Sequence, residues 1–333
     1  PITKEPEKPV VQVESSEKHD ALAEKLKSLE QSVSRLQSEV KHLEDLLRQK
    51  RDRLPLTTYK LPKEVFLCGE RIPAENKTVW ENLDREFLLT LSNEVQVLLW
   101  MKRARRYFPH IEKRLRDLSL PDDLKYVAVV ESGLRPYAVS PSGAGGIWQF
   151  IPATGEKYEM RKNRIVDERF DFLKATESAL AYLKALYEEF GSWALSLAAY
   201  NVGENRVRKE IEIQGTRDYY FLDLPLETER YVYKIAVAKM ILSETGKYGF
   251  HLDERELYDP LQVERIQIEL TQPLPIIEVS RAVGCFYKEI KELNPHFSEE
   301  AIPPGIQFIN LPPGTSMPFW TFFSAWKTEM EGK

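Results

Sequence analysis

Cysteine and histidine are scarce in this 333-residue chain, and neither is grouped. The two cysteines, Cys68 and Cys285, stand far apart and lack the paired spacing of metal sites and redox motifs, so they read as buried thiols more readily than as one disulfide. His19, His42, His110, His251 and His296 are scattered, which leaves no metal site to name, and no cofactor is expected. No apolar run approaches the ~20 residues that span a bilayer. A basic arm is missing too: the net charge is -5, and Arg103, Arg105 and Arg106 read as a solvated helix face before a polyanion site, so nucleic acid is not expected as a partner. The chain opens at Pro1 and not at methionine, which leaves room for a signal segment or a lipid or membrane anchor upstream of residue 1.

What is present is enough apolar material, 42% of the residues, for two or three folded units. Residues 1–17 are proline-rich and charged and read as a disordered tether. Over 18–53, Leu22, Leu26, Leu29, Val33, Leu36, Val40, Leu43 and Leu47 recur at alternating steps of four and three. That is a heptad seam, with Val33 and Val40 at a and Leu22, Leu29, Leu36 and Leu43 at d, and it favours a parallel two-stranded coiled coil. Lys25 and Glu30 support the pairing, whereas Glu39 and Glu44 oppose it. The alternative is one amphipathic helix folded against its own protein. Pro55 and Pro62 end the helix, and residues 54–104 read as a helical linker region, with helical spacing from Val79 to Leu118.

The chemistry gathers in the next stretch. "LPDDLKYVAVVESG" predicts a helix with Pro121 in its first turn and Gly133 just past its end, so that Glu131 sits in the last turn. The negative end of a helix and the poorly solvating neighbours Val129, Val130 and Trp148 both disfavour a carboxylate there and raise its pKa, as a general acid requires. In "SPSGAGGIWQF", Gly143, Gly145 and Gly146 allow a ligand close to the backbone, and Trp148 and Phe150 form either a sugar platform or core. Ala179, Leu183, Leu186 and Phe190 mark one further helix. Trp193, Leu197 and Tyr200 mark another, started by Ser192 and stopped by Gly203, and Tyr231, Ile235, Ala238 and Leu242 a third, with Gly246 as its terminator. After Pro260 the texture changes: Ile266, Ile268 and Leu270 alternate, two short helical segments follow, and Ile306, Phe308 and Asn310 alternate again, which predicts a small βααβ unit. Phe319, Phe323, Trp326 and Met330 mark a closing amphipathic helix over 316–333.

Three segments in series, "ESGLRPYAVSPSGAGGIWQFIPATG" (131–155), "AAYNVGENRV" (198–207) and "LPLETERYV" (224–232), resemble in order and spacing the SLT family of lytic transglycosylases, in particular its membrane-bound lytic murein transglycosylase D type. The resemblance covers residues 105–250. It implies a mainly α, lysozyme-like catalytic domain over 105–255 that cleaves the β-1,4 bond between N-acetylmuramic acid and N-acetylglucosamine in peptidoglycan glycan strands and closes a 1,6-anhydro ring. It implies that Glu131 is first acid and then base, that Ser140, Gly146, Gln149, Phe150, Tyr200 and Asn201 hold the sugar, and that Glu227 and Tyr231 stand at the site, where Glu227 helps to order Tyr200 or the ligand. Tyr200, Glu227 and Tyr231 are also readable as packing or support. The sequence departs from the family at Phe172, where a proline is usual, and at Gly145-Gly146.

Residues 260–315 resemble a LysM-type glycan-binding module through "LNP" and "PPG", but Gln272-Pro273-Leu274 replaces its glycine-aspartate-threonine turn, so a structural role stands beside glycan binding. The resemblance places the chain in the periplasm or cell envelope. Two rival readings are a muramidase that uses water and a non-catalytic cell-wall scaffold. A homodimer through residues 20–53 completes the expected partners.

Overall fold

The computed structural model describes residues 13–49 and 55–331, and the chain divides into two units at Leu54. The first is one helix, α1 (Val13–Gln49), whose 37 residues extend about 55 Å. It begins inside the stretch read as tether, because Val13 to Glu17 join the helical run; residues 1–12 of the expected tether, 50–53 of the expected coiled coil and residue 54 lie outside the described residues, as do the side chains of Leu43 and Leu47 of the seam. Leu22, Leu26, Leu29, Val33, Leu36 and Val40 are all exposed, by 49% to 61%.

The second unit is mainly α. A hairpin of β1 (Val65–Leu67) and β2 (Glu70–Ile72) precedes α2 (Lys77–Ser92) and α3 (Glu94–Asp117). Asn76 and Asn93 cap the two helices by accepting from backbone amides in their first turns. Residues 55–104 are therefore no linker: Val65, Leu67, Ile72, Leu83, Phe87, Leu91 and Val97 belong to the same apolar core as the helices that follow, and α2 packs on the helix Leu226–Ser243. These helices are α4 (Lys125–Ser132), α5 (Pro152–Lys157), α6 (Phe172–Phe190), α7 (Trp193–Val202), α8 (Glu204–Gln214) and α9 (Leu226–Ser243).

Two expected helix signals are carried by other residues. Ser192 does not cap α7 with its side chain; Glu70 of the hairpin does, its carboxylate accepting from the amides of Trp193 at 2.6 Å and Ala194 at 3.3 Å. A carboxylate at the positive end of a helix serves better than a hydroxyl, and folding brings it there from a distant segment. After α9, a 3-10 turn over Thr245–Tyr248 intervenes, and the left-handed glycine is Gly249, not Gly246. Phe172, at the start of α6, fills space against Tyr107, with ring centroids 4.9 Å apart.

The C-terminal module has the order β3 (Glu264–Leu270), β4 (Leu274–Pro275), α10 (Ile276–Val283), α11 (Tyr287–Leu293), β5 (Ala301–Ile302), β6 (Gly305–Leu311) and α12 (Ser316–Glu331). The long strands β3 and β6 pair antiparallel from Glu264↔Leu311 to Leu270↔Gly305, and β4 pairs with β5. Phe319, Phe323 and Trp326 of α12 share a core with Leu274, Ile276, Val279, Ile290 and Ile309, so the last helix is part of the module. Val166, from the connection between α5 and α6, enters that core too.

Candidate functional site

Glu131 occupies the last turn of α4. The helix stops because Gly133 takes φ +61 and its amide returns to the carbonyl of Val129 at 2.8 Å. A side chain at this position would also press on Gln96 Nε2 at 2.9 Å and Trp100 Nε1 at 3.2 Å. Tyr126 to Val129 are buried around the helix, so the carboxyl leaves the core at its rim and keeps part of its surface open.

Burial raises the Glu131 carboxyl from its ordinary 4.5 to about 7. The Tyr231 hydroxyl, which donates to Glu131 Oε1, works against that rise, the negative charge of Glu227 adds to it, and Lys234 opposes it. Tyr200 and Tyr231 both hold their protons well above the ordinary phenol range, because burial and then the charge of Glu131 disfavour a phenolate. Of Glu131 and these two phenols, the group whose proton moves near neutrality is Glu131.

Helix α9 brings the third motif to the site. Glu227 and Tyr231 lie one turn apart on one face, and Thr228 beside them donates to Asn201 Oδ1 at 2.7 Å. Asn201 thus has its oxygen occupied and keeps its amide hydrogens to offer. Glu227 is exposed, and the hydroxyl of Tyr200 goes elsewhere, donating to the carbonyl of Trp148 at 2.8 Å. Glu227 therefore acts on Glu131 through its charge and does not order Tyr200.

Several of the residues singled out in the 138–150 loop hold the loop itself together. Gln149 takes φ +51, and its Nε2 donates to the carbonyls of Ala138 at 3.1 Å and Gly146 at 2.7 Å, leaving Oε1 as what the side chain can offer a ligand. The Ser140 hydroxyl accepts from the amide of Ala144 at 3.0 Å and pairs with Ser142 Oγ at 2.8 Å, closing the loop's tip. Gly146 is buried with φ +79, and a Cβ on it would lie 2.0 Å from the carbonyl oxygen of Arg169. Its glycine serves chain packing and not the approach of a ligand. Trp148 is 0% exposed with Nε1 donating to Thr176 Oγ1 at 3.0 Å, and Phe150 is 3% exposed against Tyr182 and Tyr200. Both rings are core; neither is an open sugar platform.

Four residues at the site went unread in the sequence. Ser132 donates to the carbonyl of Ile147 at 2.8 Å, Thr228 fixes Asn201, Thr176 holds Trp148, and buried Arg169 donates to the carbonyls of Gly143 at 2.7 Å and Phe150 at 2.8 Å. Ser132 and Thr228 stood inside the quoted motifs, next to residues that were singled out. Arg169 carries no local signal in the sequence.

Cys68 is a buried free thiol and Cys285 a partly exposed one. Among the described residues, no group of His, Cys, Asp and Glu side chains gathers that could hold a metal ion.

Residues 109–222 match the family described as the transglycosylase SLT domain. Over 197 residues the chain is 34% identical to the membrane-bound lytic murein transglycosylase D of Escherichia coli K12, and equally to that of Escherichia coli O6:H1; the match covers 58% of this chain and 43% of those proteins. This chain thus spans less than half the length of these curated relatives. Among solved structures it is similar to the 70 kDa soluble lytic transglycosylase of Escherichia coli, with 19% identity and a TM-score of 0.36 over 66% of this chain and 45% of that one. The sequence match, not this slight structural likeness, links residues 109–222 to the SLT transglycosylase domain.

Proposed function

We propose that the chain is a peptidoglycan lytic transglycosylase that cleaves the β-1,4 bond between N-acetylmuramic acid and N-acetylglucosamine, with Glu131 as acid and then base. One observation carries the reading: a single carboxyl, raised to about 7, stands at the end of α4 with a tyrosine hydroxyl already donating to it. In the first step the protonated Glu131 gives its proton to the glycosidic oxygen as the C1–O bond breaks. The carboxylate left behind keeps the hydrogen bond from Tyr231. In the second step it takes the proton of the C6 hydroxyl as O6 attacks C1, which closes the 1,6-anhydro ring and restores the acid. The amide hydrogens of Asn201, Gln149 Oε1 and the Ser140 hydroxyl are the polar groups offered to the sugar; Gly146, Phe150, Tyr200 and Tyr231 support the wall and the acid.

A hydrolase is the second reading, because the charge of Glu227 acts on Glu131 and a second carboxylate could activate water. Digestion of sacculi in ¹⁸O-water separates the two. Unlabelled anhydro-muropeptides are expected; ¹⁸O at the new muramic terminus would make the enzyme a muramidase. E131Q should lose about 10⁴-fold in rate, since both half-reactions use this one group, and full activity in that variant would remove Glu131 from the mechanism.

The wider setting belongs to the same proposal. The exposed seam of α1 suits a parallel dimer, and peptidoglycan as substrate implies a periplasmic or cell-envelope location. The module is proposed to hold glycan in the LysM manner, supported by its βααβ order and by Phe286, 81% exposed between α10 and α11, as an apolar surface for a sugar ring.

A further inference from the structure

The connection from Arg161 to Asp171, between α5 and α6, is gripped from two sides. On the module side, Val166 bridges Phe297, the amide of Asp167 donates to the carbonyl of His296 at 2.9 Å, and the amide of Ser298 donates to the carbonyl of Ile165 at 2.8 Å. Side chains add to this short antiparallel pairing. Arg161 reaches the carbonyl of Ile306 at 3.3 Å and Gln307 Oε1 at 3.0 Å, and Arg265 of β3 donates to both oxygens of Asp171, the N-cap of α6, at 3.0 and 2.7 Å. Val166 itself is 2% exposed within the module's core.

On the other side stands Arg169. Its guanidinium spans three partners at once: Nε and Nη2 pair with Asp167 at 2.9 and 2.7 Å, while Nη1 donates to the carbonyls of Gly143 and Phe150. The backbone of Arg169 closes the same contact, since its carbonyl lies where Gly146 would carry a Cβ. From the front, Ser132 holds the carbonyl of Ile147 and Tyr200 that of Trp148. The loop carrying Gln149 is thus clamped between the neighbours of Glu131 and a buried arginine whose own partner, Asp167, is fixed by the module. A planar fork with five donors suits this duty, and an ammonium group could not span the same set.

We propose that the C-terminal module is an intramolecular brace for the catalytic loop and that Arg169 is the positioning residue through which it acts. Each link is a hydrogen bond or a buried packing contact, and the path from Phe297 to Gln149 needs no moving part. The module thereby acts on turnover as well as on any glycan it binds. The kinetic consequence rests on the proposed transglycosylase activity; the mechanical one does not.

The test uses the full chain with two variants at opposite ends of the path. Ser298→Pro removes the amide that reaches Ile165, and Arg169→Lys keeps the charge beside Asp167 while giving up the fork. Hydrogen exchange of the 143–150 amides should quicken by about ten-fold or more in both, with α9 unchanged. On a soluble glycan, kcat per folded molecule should fall about ten-fold or more, because displacement of the loop by a fraction of an ångström is enough to misplace the site. A role in stability alone would lower the folded fraction and leave kcat per folded molecule as it was. Should S298P fail to fold, R169K decides. Unchanged exchange in the loop of a folded variant overturns the brace. A parent that cleaves no glycan while both variants loosen the loop overturns the proposed activity and leaves the brace standing.

Discussion

Replacing Glu131 by Gln should make the protein more stable at alkaline pH and leave its stability nearly unchanged in acid. The native carboxyl titrates at about 7 against 4.5 in the unfolded chain, so between these values the folded state holds more of the proton. For an acid whose folded pKa is raised, the favourable contribution is whole below the unfolded pKa and is lost as pH climbs through the folded one. At 1.36 kcal/mol for each pH unit, the interval amounts to up to about 3 kcal/mol, and hydration of the open part of the side chain draws the figure down. Gln has the same shape, accepts from Tyr231 and does not ionise. The other titrating groups are common to both proteins and cancel in the difference. Urea unfolding of parent and variant at pH 4.5, 6 and 8, followed by tryptophan fluorescence, should give midpoints that nearly coincide in acid and separate progressively in favour of Gln. Midpoints that keep one constant separation across the range would refute the raised pKa and, with it, the argument that burial readies this carboxyl as an acid at neutral pH.

Three further expectations follow from the same geometry. Y231F removes the bond that lowers the Glu131 pKa, so the alkaline limb of the kcat/KM–pH profile should move above 7 while kcat/KM falls by about ten- to a hundred-fold, the worth of a hydrogen bond to a charged group; an unmoved limb would separate Tyr231 from the acid. G146A sets a Cβ 2.0 Å from the carbonyl oxygen of Arg169 at φ +79 and should cost above about 3 kcal/mol, read as a lowered thermal midpoint; a midpoint within a degree of the parent would contradict that packing. L29Q combined with L36Q should convert a dimer to a monomer of unchanged specific activity by equilibrium sedimentation, and a monomeric parent would end the proposal of a stalk dimer.

Residues whose setting is made by their own segment were legible in the sequence. Gly133 ends α4 because a left-handed residue is needed there, and that fixes Glu131 in the last turn; the alternation in Ile266–Leu270 and Ile306–Asn310 gives two strands, and these pair. What was missed depends on neighbours that the chain supplies from far away. Ser192 has the right chemistry for a cap, yet Glu70 takes the place across 122 residues because a hairpin delivers it. Trp148 and Phe150 look alike as platform or core in sequence, since an aromatic ring serves either, and burial against Thr176, Tyr182 and Tyr200 decides for core. Gly146 is required for a reason that only the fold contains, the carbonyl of Arg169 behind it.

The same distinction separates the acid from its support. A carboxyl protonated near neutrality needs burial and a like charge, which come from the core that α4 enters and from Glu227 of α9, while Tyr231 of the same helix favours the carboxylate and limits the rise. Those contacts tie Glu131 to the helical core. The 138–150 loop adds Ile147, Trp148 and Phe150 to the same core, and Ser132, Tyr200 and Arg169 further hold the carbonyls of Ile147, Trp148, Gly143 and Phe150. Loosening the donors should degrade the groups proposed to face the sugar before it disturbs Glu131. The module's hold on Asp167 and Val166 reaches the loop through Arg169, which pairs with Asp167 and donates to the carbonyls of Gly143 and Phe150.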